Sequence, residues 1–235
     1  MTNIPWLNDS LEFPSPDTAL VEPDGLLAAG GDLSTERLIE AYKQGIFPWY
    51  SDDQPILWWS PNPRCTLKPE QAYTSKSLKK HIRKTKPRLS FDLAFEDVIH
   101  HCTRLNSDDG TWITREMEEA YIALHHLGIA HSVEVWENNE LTGGLYGLAI
   151  GRCFFGESMF SLKPNSSKVA FTSLCAQLHQ WDYALVDCQV ENPHLLSLGA
   201  NCIDRTDFLT ILRNNINQKP RPHEWCFNLF DQQVN

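Results

Sequence analysis

Polar and apolar residues alternate along Ser132-Val133-Glu134-Val135-Trp136-Glu137, the period of a half-buried strand. Asn138-Asn139 then reads as a hairpin turn into a second strand over Leu141–Leu148, and a third follows over Arg152–Met159. Ahead of this meander the spacing predicts helices over 75–85, over 93–103 with Asp92 as cap, and from Thr114 to near Gly128. Behind it come a helix from Ser166 to about Gln180, a strand over Tyr183–Val190 and a last helix over Thr206–Arg213. Helices, an antiparallel meander, then helix and strand make an α+β domain.

Residues 1–65 are rich in proline and short of regular pattern. Phe13-Pro14-Ser15-Pro16 and Glu22-Pro23-Asp24-Gly25 read as turns. Ser34 is placed to cap one helix carrying Leu38, Ile39 and Tyr42, with Gly45 at its end. Aromatics crowd Gly45-Ile46-Phe47-Pro48-Trp49-Tyr50 and Ile56-Leu57-Trp58-Trp59-Ser60-Pro61. The stretch reads as a small N-terminal domain, 1–65, packed on a larger one over 66–235. Its rings either form its own core or line a cleft between the two.

The 235 residues, 42% hydrophobic and 21% charged, have the balance of a soluble globular protein. The N-terminus shows no basic region followed by an apolar core, so no signal peptide is expected, and no run is long enough to span a bilayer. Seven scattered cysteines without a Cys-x-x-Cys pair fit reduced thiols in a cytoplasmic protein better than a disulfide framework.

Net charge changes the picture through its distribution. The chain carries −10 overall, which gives no reason to expect DNA or a membrane as partner. Yet no acid lies between Glu70 and Asp92, and seven of the 20 basic residues fall in that gap. On the helix at 75–85, Lys76, Lys79, Lys80, Arg83 and Lys84 share one face, and Leu78 and Ile82 anchor the other. Like charges so close repel unless an anion neutralises them, and a phosphate backbone is the natural partner; the alternative is a solvated face.

Candidate chemistry gathers in three places. Leu185, Asp187 and Gln189 share one strand face, while Cys188 points away, which separates it from both as a nucleophile. A carboxylate and an amide on an apolar strand are either a structural hydrogen-bonded pair or a site pair that positions a nucleophile and handles charge. Glu157, between Gly156 and Ser158, is either a solvated strand end or a cation site. Trp112 stands at the mouth of a helix, where a ring can overhang a cleft. His100-His101 and His125-His126 are adjacent pairs that diverge on a helix, and no Cys/His cluster points to zinc. No phosphate-binding or dinucleotide-binding glycine motif is present.

These residues carry a resemblance. Phe13-Pro14-Ser15-Pro16, Gly30-Gly31-Asp32-Leu33, Gly45-Ile46-Phe47-Pro48-Trp49, Leu57-Trp58-Trp59-Ser60-Pro61, Gly110-Thr111-Trp112-Ile113-Thr114-Arg115, Gly156-Glu157-Ser158-Met159-Phe160 and Asp187-Cys188-Gln189-Val190 occur in one order over nearly the whole chain. They resemble the leucyl/phenylalanyl-tRNA–protein transferases of bacteria. The resemblance implies an enzyme that moves leucine or phenylalanine, less readily methionine, from aminoacyl-tRNA to an N-terminal Lys or Arg of a protein, creating a degradation signal. It also implies an acetyltransferase-superfamily (GNAT-like) fold, with a mostly antiparallel sheet, for the larger domain. Trp49, Trp112, Phe154 and Met159 match the family's apolar pocket, with Gly156 at its wall. Glu157, Asp187, Gln189 and Asn192 match its polar site. One departure is the order of Phe171 and Leu174, where some members have leucine then phenylalanine.

The chemistry fits these residue types. Amine attack on an aminoacyl ester is downhill, so neither cofactor, ATP nor metal is needed. The acceptor α-amine has an ordinary pKa of about 7.7–8.0 and is partly neutral near pH 7. Positioning and oxyanion stabilisation are the remaining demands. Gln189 is expected near the ester carbonyl. Asp187 either orients Gln189 or accepts a proton, and Glu157 holds either the aminoacyl ammonium or the acceptor's basic side chain. The rivals are an acetyl-CoA-dependent acetyltransferase, disfavoured by the glycine-free stretch from Ser161 to Lys168, and a non-catalytic RNA-binding module, which leaves the pocket unexplained.

Overall fold

Two sheets share one chain in this computed structural model, which describes residues 4–105, 113–221, 224 and 225. The first half of the order is β1 (Trp6–Leu7), β2 (Leu26–Gly30), α1 (Thr35–Lys43), β3 (Phe47–Pro48), β4 (Leu57–Trp59), β5 (Arg64–Leu67), α2 (Lys76–Thr85), β6 (Arg88–Phe91) and α3 (Phe95–Leu105). The second half is α4 (Arg115–His126), β7 (Ala130–Glu137), β8 (Glu140–Ile150), β9 (Cys153–Ser161), α5 (Ser166–Gln180), β10 (Leu185–Gln189), α6 (Pro193–Leu196), β11 (Asn201–Ile203) and α7 (Arg205–Asn215). The small sheet runs β1-β2-β4-β3. The large one runs β11-β5-β10-β9-β8-β7-β6. All pairs in the large sheet are antiparallel except β9 with β10.

Local chemistry sets most boundaries. Hydroxyls of Ser34, Ser75 and Thr114 accept from the backbone N–H groups of Arg37, Leu78 and Met117, capping α1, α2 and α4. Asn138 and Asn139 take φ of 53° and 63°, the two-residue turn that suits hairpin twist. Gly45 closes α1 at φ 75°, and a β-carbon there would meet the Phe208 ring at 2.7 Å.

The structure departs from expectation in three places. Residues before 60, expected to lack regular pattern, form the four-stranded small sheet. Its strands run two to five residues, too short to show a period. Asp92 does not cap the helix after it. Its φ is 56°, and its carboxylate accepts the Ser132 N–H at 2.8 Å and meets His131 Nδ1 at 2.7 Å, so α3 starts at Phe95. Strands β5, β6 and β11 and helix α6 were not foreseen, again because each is three or four residues long.

The large sheet separates two cores. On one face Tyr146, Leu148, Phe155 and Leu185 pack with Phe95, Tyr121 and Phe208 from α3, α4 and α7, and with Tyr42, Phe47 and Trp58 from the N-terminal region. On the other, Leu145, Phe154, Val186 and Cys188 pack with Leu78 of α2 and Phe171, Leu174 and Leu178 of α5.

Arg64 and Asp187 tie these layers together. Both are fully buried, with Nε and Nη2 donating to Oδ1 and Oδ2 at 2.8 and 2.7 Å. The guanidinium also stacks over Phe47 of β3 and Phe208 of α7, 4.9 and 4.5 Å from the ring centres. Breaking one side of such a pair strands a charge in the core. Arg64→Met is therefore expected to cost about 3–5 kcal/mol of unfolding free energy in urea titration. The apolar double replacement Arg64→Met/Asp187→Leu should recover most of that loss. A double variant no more stable than the single one would show that the pair is not what Arg64 contributes.

Candidate active site

Two β-bulges build the site. In the β8–β9 ladder Tyr146 pairs with Ser158 and Gly147 with Gly156, so Glu157 is the extra residue. In the β10–β5 ladder Asp187 pairs with Thr66 and Gln189 with Cys65, so Cys188 is extra and Gln189 takes φ 57°. A bulge re-aims the side chains around it. Here the two bulges turn Glu157 and Gln189 toward each other, and the amide Nε2 donates to Glu157 Oε1 at 3.0 Å. Strands β9 and β10 pair only over Cys153–Phe155 and Leu185–Asp187. Beyond that point residues of both strands line a cavity of about 400 Å³.

Glu157 is half-buried and holds three donors. Tyr42 of α1 donates to Oε1 at 2.7 Å, Tyr121 of α4 to Oε2 at 2.8 Å, and Gln189 completes the set. The two phenol oxygens also lie 2.6 Å apart. Burial pushes both phenols well above their usual range, so each carries one proton. With both phenols donating to an ionised Glu157 no proton lies between the two phenol oxygens; once Glu157 is protonated, the carboxyl donates to one phenol, that phenol donates to the other, and the ring closes. The carboxyl is placed accordingly: burial outweighs the three donors, and the Asp187 charge adds to it, raising its pKa to about 7.

Asp187 does not reach the cavity. Besides Arg64, its Oδ1 accepts the backbone N–H of Gln189 at 3.0 Å, which holds the bulge in shape. The strand-face expectation holds only in part: Asp187 bonds to Arg64 and Gln189 to Glu157, while Cys188 packs with Val186 in the second core, yet Cys188 lines the cavity beside Gln189 and Asp187 does not, because the bulge lies between them.

Every described residue assigned to the pocket lies on the cavity wall: Trp49, Phe154, Gly156, Met159, Phe171, Leu174 and Asn192. Trp112 lies outside the described residues. Asn192 also caps α6, accepting the Leu195 N–H at 2.9 Å. Wall residues not foreseen include Phe47, Leu145, Tyr146, Val190 and Glu191, and the polar partners Tyr42, Tyr121 and Arg64 were missed as site residues. Tyr42 stood at an apolar helix position, and nothing local marks a phenol that meets a carboxylate 115 residues away. Among the described residues Lys76, Lys79, Lys80, Arg83 and Lys84 are exposed on α2, and no ion pair joins them to a carboxylate. Helix α2 packs through Leu78 into the core that holds Phe171 and Leu174, so the basic face and the cavity share a support.

Fold and site together define a mixed α+β enzyme with an apolar pocket that ends in an acid poised at neutrality. The sequence model described as leucyl/phenylalanyl-tRNA protein transferase matches residues 66–213, and that of the same family's N-terminal domain matches residues 31–62. The chain belongs to the leucyl/phenylalanyl-tRNA–protein transferase family. It is 54% identical to the enzyme of that name from Hahella chejuensis over 96% of each chain. Against that of Pseudomonas fluorescens it is 54% identical over 94% of this chain and 98% of the relative, and against that of Nitrosospira multiformis 51% over 96% and 97%. A solved conserved protein of unknown function from Staphylococcus epidermidis aligns with a TM-score of 0.44 at 9% identity, over 76% of this chain and 68% of its own, too remote to inform the fold.

The carboxyl is directly observable. Its protonated band in the infrared should titrate near pH 7 in the wild type. The Tyr42 hydroxyl favours the ionised form, so Tyr42→Phe should move the midpoint upward. A wild-type midpoint in the ordinary carboxylate range would contradict the ring, and a Tyr42→Phe midpoint that stays or falls would contradict the donation from Tyr42.

Proposed function

We propose that this protein transfers leucine or phenylalanine, and less readily methionine, from aminoacyl-tRNA to the N-terminal Lys or Arg of an acceptor protein in the cytoplasm, marking that protein for degradation. One observation carries the reading: an apolar cavity of the right kind for such side chains ends at the Gln189–Glu157 pair. A non-catalytic RNA-binding role leaves that pair and the cavity unused. The reading includes a division into an N-terminal unit, 1–65, and a GNAT-like catalytic unit, 66–235. The small sheet ends at Trp59 and β5 of the large sheet begins at Arg64, so strand membership favours a division a few residues earlier than 65.

In this mechanism the side chain of the aminoacyl group lies among Trp49, Phe154, Met159, Phe171 and Leu174, with its ester carbonyl at Gln189. The neutral acceptor amine attacks the carbonyl carbon. The new C–N bond forms, the ester C–O bond breaks, and the proton lost by the amine ends on the departing ribose oxygen. Asp187, saturated by Arg64 and by the Gln189 backbone, acts as a positioning residue. Glu157, titrating near neutrality and already held by three donors, is better suited to exchanging a proton than to gripping a fixed cation. Lys76, Lys79, Lys80, Arg83 and Lys84 hold the tRNA backbone.

The founding test is transfer of labelled leucine from leucyl-tRNA to a peptide beginning with Arg, without ATP or CoA. Label should enter the peptide, and its absence would end the proposal. Charge should show in the same assay. Lys80→Ala/Arg83→Ala/Lys84→Ala should weaken use of full aminoacyl-tRNA and flatten its salt dependence, while scarcely altering a minimal aminoacyl-adenosine donor. Equal losses for both donors would place α2 in support of the fold instead.

Pocket shape gives a second prediction. A β-carbon on Gly156 would meet only the Asp187 carbonyl oxygen, at an ordinary 3.6 Å. Gly156→Ala should therefore fold normally and narrow the cavity. One methyl group in a pocket is worth about 1–3 kcal/mol, so phenylalanine transfer should fall relative to leucine by roughly 10-fold or more. An unchanged ratio of kcat/KM values would put Gly156 outside the aminoacyl pocket.

A further inference from the structure

A second group of reactive side chains lies beside the cavity. Cys65 on β5, Cys188 on β10 and Cys202 on β11 occupy three adjacent strands. Cys202 stands directly opposite Cys65 in the β11–β5 register, and the β10 bulge sets Cys188 against Cys65 from the other side. The Cys188 thiol donates to the Cys65 sulfur, and the Cys202 thiol donates to Glu191 Oε2 at 2.9 Å. Cys188 and Glu191 belong to the cavity wall, and Cys202 is part-exposed on the sheet's edge strand.

We propose that Cys65 and Cys202 form a reversible disulfide on exposure to a peroxide, and that the bond reshapes the cavity wall by releasing Cys188 and Glu191 from their thiol partners. Opposed residues of an antiparallel pair have Cα atoms about 4.5–5.5 Å apart, inside the span of about 4.4–6.8 Å that a disulfide needs. The bridge therefore forms without a strand shift. The nucleophile is set by the hydrogen bonds. Donation from Cys188 draws the Cys65 thiol below its usual range, against its burial. Cys202 is pushed up to about 12 by burial and by Glu191, and Cys188 rises as the donor to Cys65. Burial likewise raises Cys102 and Cys153 to about 12, which leaves them unreactive.

The chemistry balances. Cys65 gives up its proton as its sulfur attacks one peroxide oxygen, the O–O bond breaks, and the departing hydroxide takes up a proton in its place to become water. Cys65 is then a sulfenic acid. The Cys202 sulfur attacks the Cys65 sulfur, the S–O bond breaks, and the second water leaves with the Cys202 proton. Two thiols are oxidised and one peroxide is reduced to two waters. The Cys65 sulfur, now bonded to Cys202, no longer faces Cys188 as a free cysteine sulfur, and Cys202 has no proton left for Glu191.

The structural half needs no assumption about function, whereas the functional half rests on the transferase reading. Full-length reduced protein is treated with hydrogen peroxide. The intact mass should fall by two hydrogens, and peptide mapping should find Cys65 joined to Cys202. Leucine transfer should fall severalfold and return with dithiothreitol. Cys202→Ser, whose hydroxyl can still donate to Glu191, should transfer normally and lose both the cross-link and the reversible inhibition. No cross-link, or one joining other cysteines, Cys226 included, would overturn the proposal. A Cys65–Cys202 bond with unchanged transfer would overturn the claim about the cavity wall. Reduced protein that transfers nothing would instead strike the transferase reading and leave the mass result standing.

Discussion

The fold turns on one buried ion pair. Arg64 and Asp187 are wholly removed from water and joined by two hydrogen bonds. A charged pair in a core repays its desolvation only with this kind of geometry, and it is costly to leave half-made. The arrangement fixes more than two strands. The guanidinium faces Phe47 from the small sheet and Phe208 from the last helix, so the N-terminal region, the central sheet and α7 meet around one cation. The same carboxylate accepts the Gln189 N–H and so holds the bulge that aims the amide into the cavity. Structure and site draw on the same carboxylate.

The second constraint is the pair of bulges. Regular ladders would alternate every side chain and leave no gap between β9 and β10. One extra residue in each strand breaks pairing where the cavity begins and brings a carboxyl against an amide. The small residues at this point are part of the device. A β-carbon on Gly147, opposite Gly156, would collide with the Phe155 carbonyl oxygen and the Phe154 ring. Glu157 then meets two phenols from helices far away in sequence, and burial lifts its pKa to about 7. In the proposed reaction this places its proton exchange close to the acceptor amine's own titration.

In the proposed reaction, binding of the two ends of the donor is divided between two surfaces with one support. The apolar cavity takes Phe171 and Leu174 from α5, and the exposed basic face lies on α2, which packs into the same core through Leu78. A hydrophobic pocket discriminates by shape at short range, while a basic face acts on phosphates through longer-range charge.

The sequence alone determined the features that depend on neighbours in the chain. The meander, the Asn138-Asn139 turn, the caps at Ser34 and Thr114, the long helix from Ser166 to Gln180 and the basic face at 76–84 follow from period, turn chemistry and charge spacing. The alternation along 185–189 was legible for the same reason, but the bulge that puts Cys188 on the cavity wall with Gln189 and leaves Asp187 behind it was not. The pocket list came from motif resemblance, and its described members do line one cavity. Only the tertiary structure decided the rest. Strands of two to five residues carry too little period to read, so the small sheet and β5, β6 and β11 were invisible. Asp92 looked like a cap and instead holds His131 and Ser132 across the sheet. Tyr42, Arg64 and Tyr121 became site residues only when the chain brought them to Glu157 and Asp187 from 36 to 123 positions away. Such partners are chosen by where burial leaves a polar group in need of a donor, and that need exists only once the core has closed.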